Sequence, residues 1–129
     1  MTKVIVGEDC GNSPKALLLR DLNIAFAKNN AGFVLEYVTD DVTWIMVGDQ
    51  TVQGKANFTA ALARMKDNEV AEIRLANVIT HGDTAAVNGR MKMKDGNAYA
   101  FCNVYKFKGH SKNAKIREIT SYTIEIKGQ

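Results

Sequence analysis

The chain has 129 residues, 46% hydrophobic and 24% charged, which bounds it to one compact globular domain with a sizeable core. No apolar run approaches the roughly 18 to 20 residues needed to cross a bilayer, so no membrane partner is expected, and the N-terminal segment predicts neither a signal peptide nor an anchor. A net charge of +3 is too mild to demand an anionic partner. The cations do gather late, from Arg90 to Lys127, but no nucleic-acid signature accompanies them. They read as solvated strand edges, where Lys discourages edge-to-edge aggregation.

Residues 1–12 lack periodicity and predict a flexible leader before a single domain over 13–129. Ser13 offers an N-cap oxygen, and Pro14 suits the first helical position, where its missing N–H costs nothing. Leu18, Leu22, Ala25 and Phe26 follow at helical spacing and predict an amphipathic helix over 14–29, broken at Asn29-Asn30. "AGFVLEYV" predicts a short second helix. The β-branched and aromatic content of "DVTWIMV" from Asp41 predicts a strand, and "GDQTVQG" a turn with a short extended piece. Phe58, Ala61, Leu62 and Met65 predict a third helix over 55–66.

After Glu69 every segment reads as strand. A run over 70–80 meets one over 84–94 across His81-Gly82-Asp83, and Asp95-Gly96 turns into a third over 97–108. A loop over 109–115 leads to the last, over 116–127. Three helices before a meander of four long strands predict an α+β domain. In 84–94 strict alternation predicts one buried face. In the next run Tyr99, Phe101, Asn103, Tyr105 and Phe107 share one face while Ala98, Ala100, Cys102 and Val104 share the other, so both faces are expected to be covered, one of them by another subunit.

Cys10 and Cys102 lie far apart with no CxxC pair, which predicts reduced thiols and a cytoplasmic location. His81 and His110 fall in a hairpin tip and a polar loop, so neither is placed as a base or a ligand. Metal-ligand spacing, GxSxG and GxGxxG are absent, and no metal or cofactor is expected. Asp40-Asp41 first suggests a carboxylate pair, but adjacent strand residues point to opposite sides and cannot face one another across a substrate. They are expected to accept local backbone N–H bonds at the helix-to-strand junction. Gly48 and Gly54-Lys55 enclose five residues, where a phosphate-binding loop needs four, and Ala56 stands where it needs Ser or Thr.

Strand parity supports a pocket instead. If Trp44 faces inward, Val42 and Met46 do too, and the mixed strand adds Phe101, Asn103 and Tyr105. That would make an aromatic cavity with one amide and one phenol, of the kind that holds small molecules. The alternative is that these side chains simply fill a core.

The order "AFAKNN", "FVLEYVTDDVTW", Gly48, "QGK" and the closing "KIREITSYTIEI" resembles the SnoaL-like branch of the nuclear transport factor 2-like superfamily over nearly all of 13–127. The resemblance implies a cone: a strongly curved, mixed, mainly antiparallel sheet wrapped around three helices, with a cavity between its concave face and the first helix. It implies relatives that include ketosteroid isomerases, polyketide cyclases, dehydratases and pure binders, and a homodimer built through the outer sheet face. In ketosteroid isomerase an Asp base works with a Tyr and a protonated Asp that donate to the oxyanion. The resemblance puts Met46 at the base, Leu22 at the tyrosine and Asn103 at the protonated acid. Two of three roles are lost, and Met46 cannot take a proton. The catalytic set therefore stays unassigned, with Tyr105, Tyr122 and Glu118 as remaining candidates. The expected ligand is a small hydrophobic molecule held by Trp44, Met46, Phe101, Asn103 and Tyr105, turned over without a cofactor or merely bound. The contrasting expectation is an interaction module with an exposed patch of Ala100, Cys102 and Val104.

Overall fold

The computed structural model describes residues 2–7 and 13–127. Helix α1 (Pro14–Ala27) begins where expected, with the Ser13 hydroxyl accepting from the Ala16 N–H and Pro14 in the first turn. It stops because Asn29 takes a left-handed conformation, φ 59°, which lets the Asn30 N–H bond back to the Ala25 carbonyl. Helix α2 (Ala31–Glu36) is capped by the Asn30 side chain, and α3 (Lys55–Met65) starts after Gly54.

The strands are β1 (Lys3–Val6), β2 (Val38–Met46), β3 (Gln50–Gln53), β4 (Val70–His81), β5 (Thr84–Met93), β6 (Ala98–Phe107) and β7 (Ile116–Ile126). They form one mixed seven-stranded sheet in the order β1-β4-β5-β6-β7-β2-β3. The expected meander β4 to β7 is antiparallel throughout, whereas β2 lies parallel to β7 and β1 parallel to β4. Register shifts interrupt the β2–β7, β4–β5 and β6–β7 ladders, and such bulges bend strands and raise their twist. The α+β class, with three helices on a mixed sheet, is as predicted.

Residues 3–6 depart from the expected flexible leader. Lys3 to Val6 pair with Glu72 to Leu75, and the Gly7 N–H donates to the Leu75 carbonyl. Four residues are too few to display an alternation, and this strand exists because a partner some seventy positions later offers a free edge. Residues 8–12, and the thiol expected of Cys10, lie outside the described residues.

The core sits between α1, α3 and the inner sheet face. Leu19, Val34, Val42, Phe58 and Val87 are among its fully buried side chains. On α1 the buried face is rotated slightly from the expected one: Leu19 and Asn23 are buried, while Leu18 and Phe26 remain half-buried. Lys15 is also buried, its Nζ donating to the Gly82 carbonyl at 2.8 Å and lying 4.7 Å from the centre of the Phe107 ring. The contact ties the start of α1 to the β4–β5 turn at the end of the sheet away from Met93.

The adjacent acids are both exposed and lie within the irregular stretch of β2, between Val38 and Thr43. The Thr39 hydroxyl and then its own backbone N–H hold the Asp41 carboxyl below the usual range. The Asp40 carboxylate lies 3.9 Å from the Lys55 Nζ. The acid and the Gly-Lys pair that suggested separate chemistries thus meet each other in an exposed contact of little energetic weight.

Candidate functional site

Register arranges the inner face of the sheet in rows. Tyr105 lies opposite Ile119, which lies opposite Trp44; in the next row Asn103 faces Ser121 and Ser121 faces Met46; beyond it Phe101 faces Thr123. Side chains opposite one another on one face have Cβ atoms roughly 5 Å apart, so each row is a continuous strip of wall. Helix α1 closes over these rows with Leu22, Asn23 and Phe26. The cavity between them has a volume of about 790 Å³. Trp44, Met46, Phe101, Asn103 and Tyr105 all line it, as does Leu22, so parity brought the five candidate residues to a single wall.

Trp44 is the best-fixed of them. Its ring stacks on Phe58 at 5.2 Å between centroids and meets the edge of Phe26 at 5.3 Å. Its Nε1–H donates to the Ser121 hydroxyl at 2.9 Å. With 4% of its surface exposed, Trp44 is as much core as wall.

The polar part of the wall is a connected set. Asn23 donates from Nδ2 to the Leu19 carbonyl at 2.7 Å and to the Tyr105 hydroxyl at 3.0 Å. Asn103 donates from Nδ2 to the Asn23 Oδ1 at 3.2 Å. Burial pushes the Tyr105 phenol up to about 12, a shift that the hydrogen bonds from Asn23 and Asn103 only partly oppose. At neutral pH it is therefore a protonated donor and cannot act as a base.

Charges are confined to the mouth. Asp49, Asp67, Glu69, Lys94 and Asp95 border the cavity from exposed turns. Lys94 and Glu69 pair at 2.6 Å, and the Lys94 ammonium holds the Glu69 carboxyl below its ordinary value. Among the described residues no group of His, Cys, Asp and Glu side chains could hold a metal ion.

Two acid candidates fall away from the site. Strand β7 turns Ile119, Ser121 and Thr123 toward the cavity, which sends Glu118 and Tyr122 to the other face. Their parity was unreadable because Thr120 to Thr123 carries no apolar alternation. Sequence reasoning missed Asn23, since a single polar residue on a helix gives no signal of burial, and Ser121, whose role depends on Trp44. It also missed that Met65, Met91 and Met93 join Met46 around the cavity. Flexible thioethers fill irregular apolar space and adapt to different guests.

A comparison with curated proteins finds no match. Among solved structures the chain is similar to an NTF2-like protein of unknown function from Burkholderia pseudomallei, at 21% identity and TM-score 0.68, over 87% of this chain and 92% of that one. It is similar to another from Burkholderia xenovorans, at 15% identity and TM-score 0.72, over 89% and 88%. A third likeness is to an LEH-like epoxide hydrolase from M. tuberculosis, at 15% identity and TM-score 0.69, over 86% and 83%. Identities this low speak to the fold alone. The sequence profile of the SnoaL-like domain, however, matches residues 19–119, which span α1 to the start of β7 and so take in most of the cavity wall. The chain belongs to the SnoaL-like domain family.

Proposed function

We propose that this domain binds a small hydrophobic molecule in the cavity between α1 and the sheet, against Trp44, Met46, Phe101, Asn103 and Tyr105. The observation that carries this reading is a space of about 790 Å³ walled by aromatic and thioether side chains, with a few polar groups fixed among them. Volumes of this order suit small-molecule guests. Binding is favoured over turnover because the inner wall offers no group able to take a proton: Met46 stands where the isomerase-like base would be, and Tyr105 stays protonated. A cofactor-independent isomerase, cyclase or dehydratase would have to use a carboxylate at the mouth. The likeness to an LEH-like epoxide hydrolase keeps that second reading in view.

Trp44, the only tryptophan, reports on the site. Its fluorescence is expected to shift on titration with hydrophobic carbonyl compounds and to stay constant with hydrophilic ones. No change across a broad hydrophobic panel would sink the binding reading. Product formation abolished by Asp49→Asn or Asp95→Asn would favour catalysis.

We also infer a homodimer through the outer sheet face. Ile79, Tyr122 and Ile124 are exposed there and share one shallow apolar groove with Ala100 and Cys102. A face of this kind on a folded domain marks an interaction surface. Sedimentation should give twice the monomer mass, reverting to monomer in Ile79→Lys/Ile124→Lys. A cytoplasmic location suits the free Cys102 thiol, and no helix among the described residues is long and apolar enough to cross a membrane.

A further inference from the structure

The hydrogen-bond network of the wall restricts which polar groups remain for a guest. A backbone carbonyl can only accept, so the Asn23 group that meets the Leu19 carbonyl must be its Nδ2. Its Oδ1 then faces Asn103, which must answer with Nδ2. Two constraints in series therefore direct the Asn103 Nδ2 to Asn23 and leave its Oδ1, on a side chain that lines the cavity beside Tyr105, with acceptor capacity to spare. An indole N–H, in turn, can only donate, so the Ser121 Oγ is an acceptor toward Trp44 and its own hydrogen has no acceptor among the described residues. Asn103 and Ser121 are cross-strand partners on the inner face. An acceptor, the Asn103 Oδ1, and a donor, the Ser121 O–H, thus stand side by side on the wall.

From this arrangement we propose that the cavity selects an uncharged, apolar-bodied molecule carrying a hydrogen-bond donor and acceptor side by side, such as a lactam, a carboxamide or a hydroxy-ketone. The Ser121 O–H donates to the guest's carbonyl oxygen, and the Asn103 Oδ1 accepts from its N–H or O–H. The inference rests on the binding reading above and specifies the guest. Ionised guests fit poorly. The inner wall holds no charged side chain to pair with them, and carboxylates outnumber Lys94 at the mouth, so an anion must pass them unpaired. Tyr105 closes the wall behind them, its buried hydroxyl already engaged with Asn23 and Asn103.

Calorimetric titration of the full chain with four bicyclic probes of nearly equal size tests this: tetralin, tetralone, the dihydroquinolinone lactam and tetralin carboxylate. The lactam should bind about three- to tenfold more tightly than tetralone, and tetralone more tightly than tetralin by a similar factor, as one added neutral hydrogen bond at each step predicts. The carboxylate should bind most weakly. Ser121→Ala should bring tetralone down to tetralin, and Asn103→Leu should bring the lactam down to tetralone. Equal binding of the three neutral probes, or a carboxylate that matches the lactam, would overturn the proposal while leaving a hydrophobic binding site intact. Binding by none of the four would remove the binding reading itself, and the guest assignment with it. If Asn103→Leu fails to fold, the wild-type series and Ser121→Ala still decide.

Discussion

The two faces of strands β5 to β7 are built from alternate residues of the same segments and yet differ in kind. On the inner face Val87, Phe101 and Tyr105 are buried, and the polar groups Asn103 and Ser121 are engaged with α1 and with Trp44. On the outer face Ile124 is 70% exposed and Tyr122 47%, with Ile79 from β4 at 64%. Along β6 both faces are apolar, so hydrophobicity does not separate them there. What separates them is that helices cover one, while no described element of the chain covers the other. A strand that is apolar on both sides therefore marks two surfaces, one closed by its own domain and one that its described elements leave open.

The largest break in this contrast should come from removing the inner cover at its tightest point. Phe58 is fully buried and stacked on Trp44, so Phe58→Ala should cost about 3–5 kcal/mol in urea unfolding and shift the Trp44 emission toward that of an exposed indole. An inner-face loss below about 1 kcal/mol would mean that the cavity wall is not part of the core.

Tyr105 gives a second test, through pH. Its phenol ionises at about 12 in the folded protein against an ordinary value of 10.0, so the unfolded chain releases this proton first as pH rises. Stability from this group is complete below pH 10 and is lost as pH climbs from about 10 to about 12. A shift of this size corresponds to roughly 3 kcal/mol. Tyr105→Phe should flatten the alkaline limb of the stability profile by that order.

The smallest effect should lie outside. Ile79→Lys or Ile124→Lys should change monomer stability by less than about 0.5 kcal/mol, because a surface side chain away from special features is nearly neutral. The same changes should alter the concentration dependence of unfolding if the outer face pairs two copies.

Much of this architecture is legible in the chain itself. Ser13-Pro14 and Asn29-Asn30 bound α1, Asp95-Gly96 sets the β5–β6 turn, and the alternation in β5 and β6 assigns their faces. These are local effects: capping, turn geometry and the two-residue period act within a few positions. Parity then carries five residues to one cavity, because a strand face is fixed once a single member of it is oriented. Glu118 and Tyr122 resist the same reasoning, since a run of hydroxyl-bearing residues around Ser121 has no preferred side until its neighbours are known.

The sequence by itself determined the class of fold and the inward sets of β2 and β6. The tertiary structure decided what the local pattern could not: that β1 adds to β4, that Asp40 meets Lys55, and that Asn23 is buried against Tyr105 and Asn103. It also decided the direction of the polar groups in the wall. Those facts join residues some fifteen to eighty positions apart, and only the pairing of strands with one another and with α1 brings their donors and acceptors within hydrogen-bond reach.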